Sequence, residues 1–574
     1  MGLIKKQRVR YNTDFITSFF LILLLLCSSI VTISCHEENE EEVSQPLFSE
    51  EDIEYEDSLK SYLRKTYSSS ISQVTVTDSS VEIVGKCVGE GNFCLGEITP
   101  FLDVVKLDEA PYKVELTSSS FKIVLDRFVA REGIVYDRLL SKWAIFKEET
   151  KGDQLVSHAH HVDEIYAFQN LSPVKLTSKK GMGGLTANPY VSDLSSLGIC
   201  SATINICITH FMHLTPRTGD IEFIYGGKTY YMDEGYLESV LDKALLEATK
   251  ERNISVAAII LIDPASRCAD TGIGNLLQHP NYEGGTYTMP NMTTLESVNC
   301  YAAALDFLAQ RYCTIDNRYG RIAHWIMHNE VDGGLEWTNM GMKPVTVFSD
   351  TYIKSMRMCY NIVRQYDAHA EVFASFSHSW TEISNYKWYT SKEIIDLLNT
   401  YSQVEGDFQW ALAYHSYPQS LLNPCTWIDP NATYSMNTKF VTFRNLEVLN
   451  KWALSKENKY KGSVKRSIWL SEAGVNSLSY SDEDLQKQAA GFAYAWKKIN
   501  ALEGIDGIQW HNWFDHPGDG ACLGLRKYLD ATYNGEPKPV WSVYQKAGTP
   551  EEDEYFEQFL PLIGIPDWNI IENF

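Results

Sequence analysis

The sequence predicts an α/β protein, a (β/α)8 TIM barrel preceded by a small all-β sandwich domain. Three observations carry this expectation. From about residue 170 onward, short apolar runs alternate with amphipathic helical stretches. Before that point the apolar pattern has period two and is broken by turn-rich segments. Two of the late apolar runs, residues 321–330 and 467–472, each end in a glutamate. A carboxylate at the exit of an apolar strand is expensive to bury unpaired, so chemistry accounts for it better than packing does.

The chain opens with Lys5, Lys6, Arg8 and Arg10, followed by an apolar stretch over residues 15–33 and a cysteine at 35. This reads as a signal peptide over residues 1–34, of the bacterial lipoprotein kind, with Cys35 as the lipidated residue. A plain secretory signal and an uncleaved anchor are the alternatives. The implied location is the cell surface or the secreted fraction, with membrane contact only through the N-terminal lipid. Residues 35–59 carry a glutamate-rich run and are expected to form an acidic, disordered tether.

Residues 60–169 hold the strand-like segments 74–77, 81–84 and 121–125, separated by turns such as Asp78-Ser79-Ser80. Strands this short at this spacing predict the sandwich. The cluster His158, His160 and His161 is expected to be a solvated loop rather than a metal site. Cys87 and Cys94 flank a hairpin-like span, and the spacing leaves open whether they pair.

The barrel is expected over residues 170–574. Its strands are read at 174–180, 201–208, 254–262, 321–330, 371–377, 409–415, 467–472 and 507–511. Helical faces lie between them, one opened by Thr293-x-x-Glu296 and another by Ser481-x-x-Asp484. Residues 222–232, with Gly226-Gly227, read as an inserted hairpin. A formal net charge of -24 disfavours a nucleic-acid partner. No cysteine or histidine spacing of the zinc kind is present, so no metal and no cofactor are expected.

Barrel active sites lie at the C-terminal ends of the strands. By this count Glu330 ends strand four and Glu472 ends strand seven, facing each other across the mouth. Paired carboxylates there are the minimum equipment for glycoside hydrolysis: one gives a proton to the leaving oxygen, the other attacks the anomeric carbon. Trp337, Trp380, Trp427, Trp510 and Trp513 follow strand ends on the loop side, where indole packs well on sugar rings. His378, His511, Asn512, Asp515, His516 and Asp519 are polar loop residues suited to binding hydroxyl groups.

Asn329-Glu330, with a strand-end Glu472, resembles the catalytic pair of clan A glycoside hydrolases. The barrel half looks most like the family 39 type. Lys180-Gly-Met-Gly-Gly184 and His415-Ser-Tyr417 look like an uncharacterised bacterial group near that family. The resemblance implies Glu330 as general acid/base, Glu472 as nucleophile, and Asn329 on the sugar hydroxyl beside the anomeric carbon. It implies His415 or Tyr417 beside Glu472, and Trp510 as the floor of the non-reducing subsite. Trp337 and His511 join the expected substrate-binding set. So does Asn205, which stands where the clan often has an arginine. His328 stands where glycine is common. The implied activity is retaining hydrolysis of β-D or α-L glycosidic bonds in an oligo- or polysaccharide. The alternative is a non-catalytic carbohydrate-binding surface lipoprotein on the same scaffold.

Overall fold

The computed structural model describes residues 48–383 and 387–572. The expected signal peptide, Cys35 and most of the expected tether lie outside the described residues. The rest of the tether is not a tether. Residues Glu50–Arg64 form a helix, capped by the Ser49 hydroxyl accepting from the Asp52 N–H. Glu50, Glu51 and Asp52 sit in its first turn, where acidic groups favour the helix dipole. The same charges that suggested a solvated run therefore start a helix. Leu59, Tyr62 and Leu63 bury its inner face, each contributing about 1.5–3 kcal/mol.

Ten short strands precede the barrel: β1 (Ser70–Val76), β2 (Ser80–Lys86), β3 (Phe93–Ile98), β4 (Val114–Leu116), β5 (Ser120–Asp126), β6 (Phe128–Arg131), β7 (Ile134–Asp137), β8 (Lys142–Glu149), β9 (Gly152–Leu155) and β10 (Glu164–Ile165). Two four-stranded sheets form, in the orders β10-β1-β2-β5 and β4-β3-β8-β9. Val74, Val76, Val81 and Ile83 of the first pack against Leu95, Trp143 and Ile145 of the second. The sandwich is thus as expected, but its second sheet is apolar on both faces. On β8, Trp143 and Ile145 face the sandwich core, while Ala144 and Phe146 join the main core with the barrel helices. Cys87 and Cys94 are free thiols and likewise belong to different cores.

The barrel strands follow, interrupted by one inserted sheet: β11 (Lys180–Met182), β12 (Ser201–Cys207), β13 (Met212–His213), β14 (Ile221–Tyr225), β15 (Lys228–Met232), β16 (Ser255–Leu261), β17 (His324–Met327), β18 (Glu371–Phe376), β19 (Trp410–Tyr414), β20 (Ile468–Ala473) and β21 (Gly507–Trp510). The closed order is β11-β12-β16-β17-β18-β19-β20-β21, all parallel. The insertion is the expected hairpin, with Gly226 and Gly227 both at positive φ in its turn. The first barrel strand starts later than Val174 and is only three residues long. A Cβ on Gly181 would stand 2.4 Å from Ser201 Oγ and 2.7 Å from the Ile508 carbonyl. This strand is a glycine wedge between its neighbours, which an apolar pattern does not reveal. The helix Leu295–Tyr312 is capped by Thr294, one residue later than expected, while Ser481 caps the helix Asp482–Ala501 as read. Ala257, Ile259, Ile326, Phe373, Ala411, Ala413 and Trp469 fill the barrel interior.

The three histidines after β9 are pins, not a solvated loop. His158 Nε2 lies 3.0 Å from the Tyr62 carbonyl, His160 2.8 Å from Asp163, and His161 3.4 Å from Glu405. Three separate partners leave no shared metal site. Glu405, at the end of the helix Ser391–Glu405, also accepts from Lys142 Nζ and Tyr62 Oη, both at 2.7 Å. Burial opposes its charge, but Lys142 and His161 hold the carboxyl well below the usual range. One carboxylate therefore ties the N-terminal helix, the sandwich and the barrel layer together. Its contribution is complete above the unfolded glutamate value of about 4.3 and is lost as pH falls toward the folded value. Glu405→Ala leaves the Lys142 ammonium buried without its partner. Urea unfolding at neutral pH should show about 3–5 kcal/mol of destabilisation, with a smaller loss for Lys142→Met/Glu405→Leu. Equal losses would show that the pair is not the tie.

Candidate active site

The end of β17 does not continue straight. His328 and Glu330 both adopt positive φ, 49° and 34°, a conformation that costs a non-glycine residue about 1–2 kcal/mol. The double turn sends neighbouring side chains in different directions. His328 is buried, with Nδ1 3.1 Å from the Ile260 carbonyl and Nε2 3.3 Å from Ser355 Oγ. Burial lowers its pKa to about 4. It packs by Tyr301 and Tyr352, so the residue standing in place of glycine braces the strand from behind.

Glu330 turns into the mouth. Its Oε1 stands 2.9 Å from His415 Nδ1, its side chain is 13% exposed and that of His415 1%. The Glu330 N–H donates to Ser375 Oγ at 3.1 Å, and the Thr338 hydroxyl donates to the Asn329 carbonyl at 2.9 Å. Asn329 is half-buried beside it. Two residues on, Asp332 is fully buried and accepts from the Ser377 N–H (2.9 Å) and hydroxyl (2.6 Å). Burial, then the neighbouring Glu330 charge, push its pKa up to about 7. The sequence reading missed Asp332, although its place two residues past the Asn-Glu pair was visible.

Glu472 lies near the end of β20, where the register with β21 shifts between Leu470 and Ala473. Tyr417 Oη donates to Glu472 Oε1 at 3.0 Å. Burial favours its neutral form, yet His511, His415 and the Tyr417 hydrogen bond together lower its pKa. His415 behaves reciprocally. Burial disfavours its charge, but Glu472 and then Glu330 outweigh that and raise its pKa. Of the two residues expected beside Glu472, Tyr417 makes the hydrogen bond. His415 is corrected to Glu330, its field still reaching Glu472.

Glu472, Asn205 and His511 line one cavity of about 550 Å³ with Gly184, Thr186, Thr203, Ile259, Asn512, Trp513 and Asp519. The loop after β21 forms its far wall, with Asp515, His516 and Tyr528. Thr203 was missed, though period two puts it on the same face of β12 as Asn205. Two buried ion pairs hold the wall. Arg526 grips Asp193 at 2.6 and 2.7 Å, and Trp513 Nε1 donates to the same carboxylate at 3.0 Å. Lys538 Nζ stands 2.9 Å from Asp515 Oδ1, and Tyr480 Oη 2.7 Å from Oδ2. Asn512 Nδ2 donates to Asp519 Oδ2 at 2.8 Å.

Trp510 is corrected. It is fully buried, donates to the Leu523 carbonyl at 2.9 Å, and packs on Phe492 and Tyr544 in the helical layer. Alternation along β21 sends Gln509, bonded to Ser201 Oγ, and His511 inward, and hence Trp510 outward. Trp380 is buried with its indole on the Met436 carbonyl, Trp427 packs on Tyr494, and His378 is half-buried against Phe440, with its pKa lowered to about 4 by desolvation and by His415. Trp337 is half-buried, its ring 6.5 Å from that of Tyr287. Of the five tryptophans read onto the cleft, Trp513 lines the cavity.

Fold and site together define a (β/α)8 barrel with a glutamate after strand four and another at the end of strand seven, joined through one histidine. A family model described as a family of unknown function, DUF5722, matches residues 172–571, and the chain belongs to that family. No curated protein matches it. Among solved structures it is similar to a family 39 glycoside hydrolase from Bacteroides cellulosilyticus WH2, at 14% identity over 84% of this chain and 83% of that one, with a TM-score of 0.41. A β-D-glucuronidase from Dictyoglomus thermophilum shares 12% identity over 83% and 68%, with a TM-score of 0.34. An endoglucanase from Thermotoga maritima shares 12% over 63% and 96%, with a TM-score of 0.34.

The positive φ at Glu330 is strain held for the position of one carboxyl group. Glu330→Gly should therefore be about 1 kcal/mol more stable than Glu330→Ala in denaturant unfolding, since both lose the contact to His415 and the alanine alone keeps the strain. Equal stability of the two variants would show that the turn is unstrained.

Proposed function

We propose that this protein is a retaining glycoside hydrolase acting on β-D or α-L glycosidic bonds. The observation that carries the reading is the arrangement around His415: it holds one carboxylate, Glu330, at 2.9 Å, and its charge acts on the other, Glu472. The two glutamates thereby share one imidazole, and their direct partners differ: His415 for Glu330 and Tyr417 for Glu472.

Glu472 has the nucleophile's environment. Tyr417, His511 and His415 favour its ionised form inside a buried mouth. Attack by its oxygen on the anomeric carbon forms a glycosyl–enzyme bond as the bond to the leaving oxygen breaks. Glu330 has the acid/base position. With His415 Nδ1–H on Oε1, the Oε2 oxygen is left to hold the proton given to the leaving group. The same carboxylate then takes a proton from water, which attacks the anomeric carbon and releases Glu472. Asn205, Thr203, Asn512 and Asp519 supply hydroxyl-binding groups along the cavity, and Asn329 stands beside the acid.

Glu330→Gln and Glu472→Gln should each lower kcat by at least about 10³-fold with unchanged folding, read by product release from glycan panels and by circular dichroism. Near wild-type turnover in either variant sinks the assignment. A depressed carboxyl keeps its charge until pH falls through its own value. The acid limb of kcat/KM should therefore lie below the ordinary glutamate value of about 4.3, and Tyr417→Phe should move it upward. An unmoved limb would remove Tyr417 from the control of Glu472.

A further inference from the structure

On the rim beside the cavity, strands two and three bring together three groups that the hydrolytic reading does not use. Cys207 is the last residue of β12, His210 lies one turn further on, and Asp263 follows β16. Their Sγ, Nε2 and carboxylate oxygen all lie within 4.8 Å of one another. Cys207 and Asp263 are buried, at 6% and 8% exposure, while the His210 side chain is 49% exposed and opens the group to solvent. We propose that Cys207, His210 and Asp263 form a zinc-class metal site.

Geometry and donor chemistry support this. Asp263 Oδ1 is held by Arg267 Nη2 at 2.8 Å, while Oδ2 faces His210 Nε2, also at 2.8 Å. Thr209 Oγ1 stands 3.1 Å from Cys207 Sγ. Each buried donor thus has a neighbour that fixes its orientation, as the outer partners of metal ligands do. A thiolate, an imidazole and a carboxylate suit a borderline-soft divalent ion of the zinc type. Three protein donors leave the fourth tetrahedral position for water. Binding displaces the thiol and imidazole protons to solvent and asks the His210–Asp263 contact to open by about an ångström to admit the ion. The donors come from two strands, so sequence spacing conceals them. Asn205, two residues before Cys207, lines the cavity. The ion would therefore lock the strand-two loop to the strand-three loop at the edge of the sugar site.

The test uses the full chain, stripped with chelator and titrated with cobalt(II). One equivalent should bind, giving a thiolate-to-cobalt charge-transfer band in the near ultraviolet and visible bands of tetrahedral intensity. Cys207→Ser should abolish the charge-transfer band, and His210→Ala, at a half-exposed position that does not threaten folding, should weaken binding by about tenfold or more. Cys268→Ser, which changes the neighbouring thiol, should leave the spectrum intact. Absence of the band in the wild type, or its survival in Cys207→Ser, overturns the site. So does unchanged affinity in His210→Ala.

Discussion

Two carboxylates in one buried mouth repel each other and are poorly solvated, and the structure resolves that conflict with a single imidazole. His415 is almost fully enclosed, touches Glu330 directly and lies in the field of Glu472. Removing water strengthens every charge in such a place, so each neighbour acts strongly. Tyr417 and His511 favour charge on Glu472, while the fully buried Asp332 sits behind Glu330 and is itself driven toward its neutral form. The site is thus asymmetric: charge is favoured on Glu472 at strand seven, while at strand four it is the buried Asp332 behind Glu330 that is pushed toward its neutral form.

That asymmetry needs a scaffold that does not shift. The two central strands of the second sheet, β3 and β8, are largely buried on both faces, and Cys94, Ala144 and Phe146 enter the same core as the barrel helices. Glu405 gathers groups from the N-terminal helix, from β8 and from the histidine segment onto one carboxylate. The opposite wall is held from within by Asp193–Arg526 and Asp515–Lys538. The sandwich reads more naturally as a brace for the barrel than as an independent module.

Much of this was legible in the residues. Seven apolar runs at βα spacing fall on barrel strands, the glycine wedge of β11 being the exception, and a glutamate ending an apolar run is conspicuous because packing gives it no reason to be there. His511 could be placed by its strand end, whereas Asn205 and Tyr417 were placed by the resemblance to clan A glycoside hydrolases. Trp510 could not be placed by its strand end, because a tryptophan there faces cavity or helices according to parity, and β21 sets that parity through Gln509 and His511. The direction of His328 was hidden for a similar reason: its backbone turn at positive φ, invisible in the sequence, points it away from the mouth. The helix Glu50–Arg64 was concealed by its own charge, since three buried side chains suffice to dock a segment that composition describes as solvated. Asp332 and Thr203 were within reach of spacing, two residues from Glu330 and from Asn205, whereas the Cys207 group belongs to the third dimension, where residues from separate strands converge.

The glycine wedge at β11 carries a consequence for how the chain reaches its folded state. Met182 pairs with Trp510, and Tyr544 Oη both accepts from the Gly181 N–H and donates to its carbonyl. The seam of the barrel is therefore sealed by segments from the two ends of its sequence. All eight strands can line up through seven neighbour-to-neighbour pairings, but the eighth, β11 with β21, waits on a contact of very long loop, whose entropy is lost before the seam returns anything. Until then the unpaired backbone edges of β11 and β21 stand open to other chains. The closing step, rather than the alignment of the strands, therefore carries the largest loop-closure cost.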